Sequence, residues 1–308
     1  LVHASLAQKH PEMAERLLFE LAELPTQTRI HRRMGAAELY GLRLAIAQVA
    51  TEVDPVHARE HYERVLSQNP DSVLAYESLA RLSARLDEPR AAVEYGQSYL
   101  VHETDEAAKF EFLLFLGQEY LKLDDGDEEA ARAYRQALHL RPDDRRVLTA
   151  LADLALERSD TSSALRHLSR LSNTVADDVE PEEHVELLLK IAGLWEVSLG
   201  DESQAIDYLR EAWQTQPLNP RVVWPLVQLL RKRDEYTQAE SLVLGLADSR
   251  VEDFEVPKAA ILEANHWLLK HAELSHSDVL LRLEHLHATD PDDLNLCERL
   301  WDALLERE

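Results

Sequence analysis

The chain has 308 residues, of which 45% are apolar and only 6% aromatic, and its formal net charge is -25. This charge argues against nucleic acid as a partner, because binding to phosphates needs a basic face. The single cysteine, Cys297, excludes an internal disulfide framework and a cysteine-based zinc site. No apolar run approaches the roughly 20 residues of a membrane-spanning helix. The sequence therefore predicts neither a nucleic-acid-binding chain nor a membrane-spanning one.

The beginning of the chain has the pattern of an incomplete helical hairpin. Leu1–Lys9 resembles the end of a helix, and Pro11 opens a second amphipathic run that stops before Pro25. Residues 1–25 are therefore interpreted as a partial repeat. Because the first residue is not methionine, we expect the chain to be a piece of a longer protein. Its localisation is left open, with the cytoplasm as the favoured compartment.

A window of about 34 residues then recurs along the chain, and each window is predicted to hold two amphipathic helices. In the window Glu186–Asn219, Gly200 interrupts the first helical run and Pro217 ends the second. The small residues Gly193 and Ala205 are expected to let the two helices approach closely. The windows are 39–72, 73–106, 110–144, 145–178, 186–219 and 220–253.

Two further features frame these windows. Pro181, followed by two glutamates, predicts that the first helix of window 186–219 begins early, because proline and acidic side chains both suit a helix N-terminus. After Pro257 a divergent pair of helices is predicted over residues 257–291. A terminal helix is predicted over 294–307, either as a cap or as the first helix of another repeat.

This succession of windows resembles the tetratricopeptide repeat family, and the resemblance covers most of the chain. Window 110–144 carries the pattern most fully, with Leu116, Gly117, Tyr120, Ala130, Tyr134, Ala137 and Pro142. The resemblance implies an all-α fold, namely a right-handed superhelix (α-solenoid) of about fourteen to seventeen helices. It also implies that residues 1–308 form one continuous solenoid.

In this family the first helices of successive repeats line an inner, concave surface, where peptides or partner proteins bind. Carried over by position in each window, the resemblance implies a groove in which basic residues outnumber acidic ones. The implied binding residues are Arg43, Arg81, Arg85, Lys122, Arg146, Lys190, Trp224, Arg231 and Lys232. Trp224, beside Pro225, is the expected aromatic anchor. The alternative is that the basic stems only cover apolar neighbours while their charges stay in water.

Motifs for catalysis or metal binding are weak. His57 and His61 fall in an H-x-x-E-H pattern, which is typical of one class of zinc metalloproteases. Ala58 between them is interpreted as the close-packing alanine of a second helix, and spacing identifies no third ligand. The sequence has no G-x-S-x-G motif and no glycine-rich phosphate loop. We therefore predict no enzyme activity, no metal and no cofactor.

The sequence thus predicts a non-catalytic interaction module or scaffold that holds a peptide or protein segment in its groove. A basic groove in an acidic chain would attract an acidic segment, so this is the favoured ligand. Two alternatives stay open. The chain can be a structural element that stacks through its ends, which leaves a homo-oligomer open, or a regulatory segment of an enzyme whose catalytic part lies elsewhere.

Overall fold

The computed structural model describes residues 36–175, 180–249 and 257–289, together with Met13, Asn295, Glu298 and Arg299. Over these residues the chain forms fourteen α-helices and one short π-helix, with no strand, which confirms the all-α prediction. The predicted partial repeat and terminal helix lie outside the described residues, except for the single positions just named.

Contacts between residues divide the chain into two compact units, Leu1–Leu154 and Ala155–Glu308. Each unit is described by itself below, and a single continuous array over residues 1–308 stays a prediction. Among the described residues, no helix is both long enough and apolar enough to cross a membrane.

Unit 1 contains three complete pairs of helices and most of a seventh helix. Its helices are α1 (Ala36–Val53), α2 (Pro55–Gln68), α3 (Val73–Arg85), α4 (Pro89–His102), α5 (Glu106–Tyr120), α6 (Asp127–Leu140) and α7 (Arg145–Glu157), within which the unit boundary falls. The first helices α1, α3 and α5 each pack against the second helix that follows them. The alanines of the second helices, Ala58, Ala92 and Ala130, are fully buried in this contact.

Unit 2 contains the remaining helices. They are α8 (Thr161–Val175), α9 (Pro181–Gly193), the π-helix (Leu194–Ser198), α10 (Glu202–Thr215), α11 (Pro220–Lys232), α12 (Tyr236–Ala247), α13 (Lys258–His271) and α14 (His276–Thr289). The early helix start at Pro181 is confirmed. The main hydrophobic core of unit 2 joins helices α9 to α13. Ala205 and Ala239, which belong to second helices, are fully buried in this core.

Helix ends follow from local backbone chemistry. Asp54 caps α2, because its carboxylate accepts hydrogen bonds from the backbone N–H groups of Val56 and His57, at 3.1 and 3.3 Å. Gly200 follows the π-helix with a φ of +67°, a left-handed conformation that glycine adopts without strain. Asp87 and Asp234 take the same conformation, with φ values of 59° and 62°, after α3 and α11. These residues turn the chain back towards each second helix.

Candidate functional site

The first helices of successive repeats contact one another through their side chains in both units. In unit 1 the guanidinium of Arg81 on α3 lies over the ring of Phe115 on α5, 5.4 Å from its centroid. In unit 2 the guanidinium of Arg231 on α11 lies 5.5 Å from the ring centroid of Trp267 on α13. In each unit, we call the surface formed by its first helices the first-helix face of that unit. These helices are α1, α3, α5 and α7 in unit 1 and α9, α11 and α13 in unit 2.

The predicted cations Arg43, Arg81 and Arg85 stand near the beginning of the described chain. Arg43 is half-buried, and burial, followed by repulsion from Arg64, lowers its pKa. Arg81 pairs with Glu77 on its own helix, with 3.0 Å between Nε and Oε1. Arg85 is exposed and has no ion pair among the described residues. Of these three cations, Arg85 is therefore the one that is both exposed and unpaired.

Lys122 and Arg146 are each neutralised inside unit 1. Lys122 lies 2.7 Å from Oε1 of Glu119, a carboxylate that is only 4% exposed. Both terminal nitrogens of Arg146 donate to Glu111 at 2.9 Å, and Nη2 also donates to Asp144 at 3.2 Å. The hydrogen bonds to Glu111, and after them those to Asp144, raise the pKa of Arg146. The hydrogen bonds from Arg146 in turn lower the pKa of Glu111. Neither cation presents an unbalanced charge to a ligand.

Three more predicted cations lie on unit 2. Lys190 is exposed on α9, and Arg231 stacks on Trp267 as described above. Lys232 bridges two carboxylates, with its Nζ 3.2 Å from Glu196 and 3.3 Å from Glu202. Hydrogen bonds, first to Glu196 and then to Glu202, raise the pKa of Lys232. Glu196 lines the same cleft as Trp224, whereas Lys232 pairs with Glu196 without lining that cleft.

That site is a cleft of about 690 Å³ on the first-helix face of unit 2, which we call the Trp224 cleft. Its lining comes mainly from the first helices of three successive repeats and is mostly apolar. The lining residues are Leu189, Ala192, Gly193, Glu196, Leu209, Pro220, Arg221, Trp224, Pro225, Pro257, Ala259, Ala260 and Glu263. The volume lies within the ~300–1,000 Å³ that is usual for ligand pockets.

Gly193 explains why the cleft is open, and it corrects one interpretation of the sequence. Gly193 was expected to let two helices approach closely, but a Cβ atom added there would meet no atom within 4 Å. At the corresponding place in window 110–144, a Cβ on Gly117 would lie only 2.3 Å from the Tyr134 ring. The residue that corresponds to Tyr134 is Leu209, which is smaller. Leu209 therefore leaves empty the space that a tyrosine ring fills in unit 1.

Trp224 forms one wall of the cleft and carries an unsatisfied donor. The side chain is half-buried, and its indole Nε1 is buried with no hydrogen-bond partner among the described residues. Pro225 lies inside α11 and has no N–H, so the carbonyl of Arg221 four residues earlier lacks its helical donor. The cleft wall thus combines an apolar surface with one carbonyl that lacks its usual partner, whereas the indole Nε1 lies beneath the surface.

The π-helix lies at the edge of the cleft. The backbone N–H of Leu199 donates to the Leu194 carbonyl at 3.3 Å, five residues back, and Asp201 N–H donates to the Trp195 carbonyl at 2.9 Å. This wider turn carries Glu196, which lines the cleft. π-helices are rare and frequently occur at functional sites.

The histidines of the H-x-x-E-H pattern lie on α2. His57 is exposed, and its Nδ1 lies 2.7 Å from Oδ2 of Asp54, the helix cap. Among the described residues, no group of three or more His, Cys, Asp or Glu side chains could hold a metal ion. The absence of a metal stays a prediction: the purified chain should contain no stoichiometric zinc. Zinc near one per chain that disappears in His57→Ala would contradict it.

Several residues of the cleft were not among the predicted binding residues. Glu263 belongs to the divergent pair 257–291, for which no groove positions were assigned. Arg221 stands at a groove position and pairs with Glu186 at 2.8 Å. This pair, like that between Glu111 and Arg146, joins residues 35 apart in the chain. A spacing of about one repeat between opposite charges is the signal in the sequence that could have revealed both pairs.

Helix-turn-helix repeats with side-by-side first helices define a class of helical-repeat proteins that work by binding. A comparison with protein families matches the tetratricopeptide repeat over residues 57–109 and 116–173. A comparison with curated proteins finds no matching sequence. The chain therefore contains tetratricopeptide repeats over these two stretches. Proteins of this family are in general non-catalytic modules that bind proteins or peptides.

Several solved structures are similar to the chain. YrrB, described as a TPR protein with an unusual peptide-binding site, is 14% identical; the match covers 59% of this chain and 89% of YrrB, with a TM-score of 0.43. The C-terminal part of a TPR repeat-containing protein from Cytophaga hutchinsonii is 12% identical; the match covers 83% of this chain and 98% of that chain, with a TM-score of 0.47. A structure of the APC/C hetero-tetramer Cut9-Hcn1 is 14% identical; the match covers 98% of this chain and 48% of that chain, with a TM-score of 0.35.

Proposed function

We propose that the chain is a non-catalytic interaction module that binds a peptide or protein segment on its first-helix face. The observation that carries the proposal is the Trp224 cleft, an open and mostly apolar cavity with a few polar groups. Apolar concave sites with a small number of placed polar groups are the usual form of a binding site. An aromatic side chain in such a site is a frequent energetic anchor.

A polar group of the wall supports a peptide as the ligand. The Arg221 carbonyl, which lacks its helical donor because of Pro225, can accept from a ligand N–H. A peptide backbone carries an N–H donor on each residue other than proline. A bound peptide can therefore supply the donor that this carbonyl lacks.

Selection from a random dodecapeptide phage library on the purified chain tests this proposal. Gly193→Leu fills the cleft and should fold, because Gly193 has ordinary helical dihedrals, φ -61° and ψ -37°, and open space at its Cβ. Gly245→Leu is the matched control, since Gly245 also lies on a helix with open space at its Cβ but does not line the cleft. Peptides selected on the wild type should bind Gly245→Leu equally and Gly193→Leu at least tenfold more weakly. Recovery of no peptide, or equal binding to both variants, would refute the cleft as a binding site.

An acidic segment on unit 1 is the second candidate ligand. Arg85 supports it, because this side chain is exposed and unpaired, and Arg81 lies one helical turn earlier on α3. The double variant Arg81→Glu/Arg85→Glu should weaken binding of an acidic peptide from the same selection and flatten its salt dependence. If the double variant binds the peptide as tightly as the wild type at low salt, the charge of this surface is incidental.

Self-assembly through the chain ends is the structural alternative. Sedimentation equilibrium over a range of protein concentrations separates it from ligand binding. A mass that grows with concentration would favour an assembly element, whereas a constant mass leaves the binding module as the function.

A further inference from the structure

We infer that the ligand of the Trp224 cleft inserts a bulky apolar side chain and places a lysine or arginine directly beside it. This inference rests on the proposed function and adds the chemistry of the partner. This ligand differs from the acidic segment that the sequence favours. The basic residues on the first helices predict a positive groove, whereas carboxylates border the Trp224 cleft.

The floor and walls of the cleft determine the apolar part of the ligand. Ala192, Gly193 and Ala260 present almost no side chain, and the Leu209 side chain stops short of the space beside Gly193. Trp224 stands over this floor as the one aromatic ring of the lining. Small residues below and a large flat ring at the side leave room for a branched aliphatic or aromatic side chain, whose burial removes apolar surface from water.

The carboxylates at the edge determine the charged part. Glu263 lines the cleft, is exposed, and makes no ion pair or hydrogen bond with any residue that the structure describes. Glu196 also lines the cleft, but it shares Lys232 with Glu202. Glu263 is therefore the carboxylate with an uncompensated charge, and the Lys232 cluster adds a second negative charge because one cation faces two carboxylates.

The cations of the same region do not offset this charge. Arg221, the only cation of the lining, pairs with Glu186 at 2.8 Å. Lys190 and Lys258 are neighbours of lining residues along the chain, but neither of them lines the cleft. An acidic ligand segment would meet Glu263 and Glu196 at close range, whereas a lysine or arginine would find a partner there. Complementary charge of this kind selects partners and speeds their encounter.

The experiment uses the peptides selected on the full chain from the random dodecapeptide library. Peptides whose binding is lost in Gly193→Leu should carry Lys or Arg within two residues of a bulky apolar residue. For the tightest of these, made synthetically, Glu263→Lys should weaken binding by roughly three- to tenfold at low salt. Changing the basic residue of the peptide to Glu should restore its binding to Glu263→Lys. Glu94→Lys is the control, since this exposed carboxylate on α4 gives the same change in net charge away from the cleft.

The outcomes separate the inference from the proposed function. Peptides that need the cleft but carry no basic residue, or that bind Glu263→Lys and Glu94→Lys equally, overturn the inference and leave the proposed function standing. A selection that yields no cleft-dependent peptide overturns both. Enrichment of basic residues together with rescue by the charge swap is the expected result.

Discussion

Gly117→Ala should destabilise unit 1, whereas Gly193→Ala should stabilise unit 2, although both glycines occupy the eighth position of their windows. Away from contacts, replacing a helical glycine by alanine stabilises a helix by about 1 kcal/mol. At Gly193 this gain is unopposed, because the new Cβ meets no atom within 4 Å. At Gly117 the Cβ would lie 2.3 Å from Cε1 and 2.4 Å from Cζ of Tyr134.

The clash at Gly117 decides the sign there. Tyr134 is only 2% exposed, so its ring cannot move into solvent without disturbing its neighbours. Overpacking of this kind costs roughly 1–3 kcal/mol. After subtraction of the gain from alanine, we expect a net loss of up to about 2 kcal/mol at Gly117 and a net gain of about 0.5–1 kcal/mol at Gly193.

Urea unfolding measures both effects. All five tryptophans lie at or after Trp195, so tryptophan fluorescence follows unit 2 and Gly193→Ala, while far-UV circular dichroism follows Gly117→Ala. The background Tyr134→Leu is the control, because it removes the ring and gives window 110–144 the pairing found in the Trp224 cleft. In that background Gly117→Ala should become stabilising. If Gly117→Ala stabilises the wild-type chain, or is equally destabilising in both backgrounds, the explanation of the cleft by side-chain size is wrong.

Three further predictions concern stability. Ala205→Leu should lower the free energy of unfolding by roughly 1–3 kcal/mol through overpacking, because Ala205 is fully buried; an unchanged urea midpoint would contradict its close-packing role. Asp248→Ala should cost roughly 1–3 kcal/mol, since it removes the carboxylate 2.5 Å from Arg282, a side chain that is 3% exposed; thermal melts that match the wild type would contradict this. The ion pair with Arg146 lowers the pKa of Glu111, so its contribution is present above the ordinary pKa of about 4 and is lost as the pH falls through the lowered value. Because the pair is half-exposed, Glu111→Gln should lose less than about 1 kcal/mol at neutral pH and nothing in acid, and a difference that persists in acid would show that another contact is responsible.

The helices and their ends could be predicted because their causes are local. Pro181 starts a helix through its fixed φ, and Gly200 turns the chain through its positive φ, whatever surrounds them. The repeated apolar period identified the repeats for the same reason, since each helix needs one apolar face. The ion pairs of Arg146 and Arg221 do not follow from the positions of these basic residues alone, because each pair also needs a carboxylate about one repeat earlier in the chain.

What the sequence determined by itself is therefore the kind of fold: helical repeats that resemble the tetratricopeptide repeat, with Trp224 on the first helix of its repeat. Only the tertiary structure decided that Gly193 borders an empty cleft while Gly117 is filled by a tyrosine ring. The physical reason is that a cavity is defined by the sizes and positions of several side chains from different repeats, and no single residue of the sequence marks it. It exists because Leu209 on the second helix is too small to fill it, and because Trp224 and Ala260 on the following repeats leave it open.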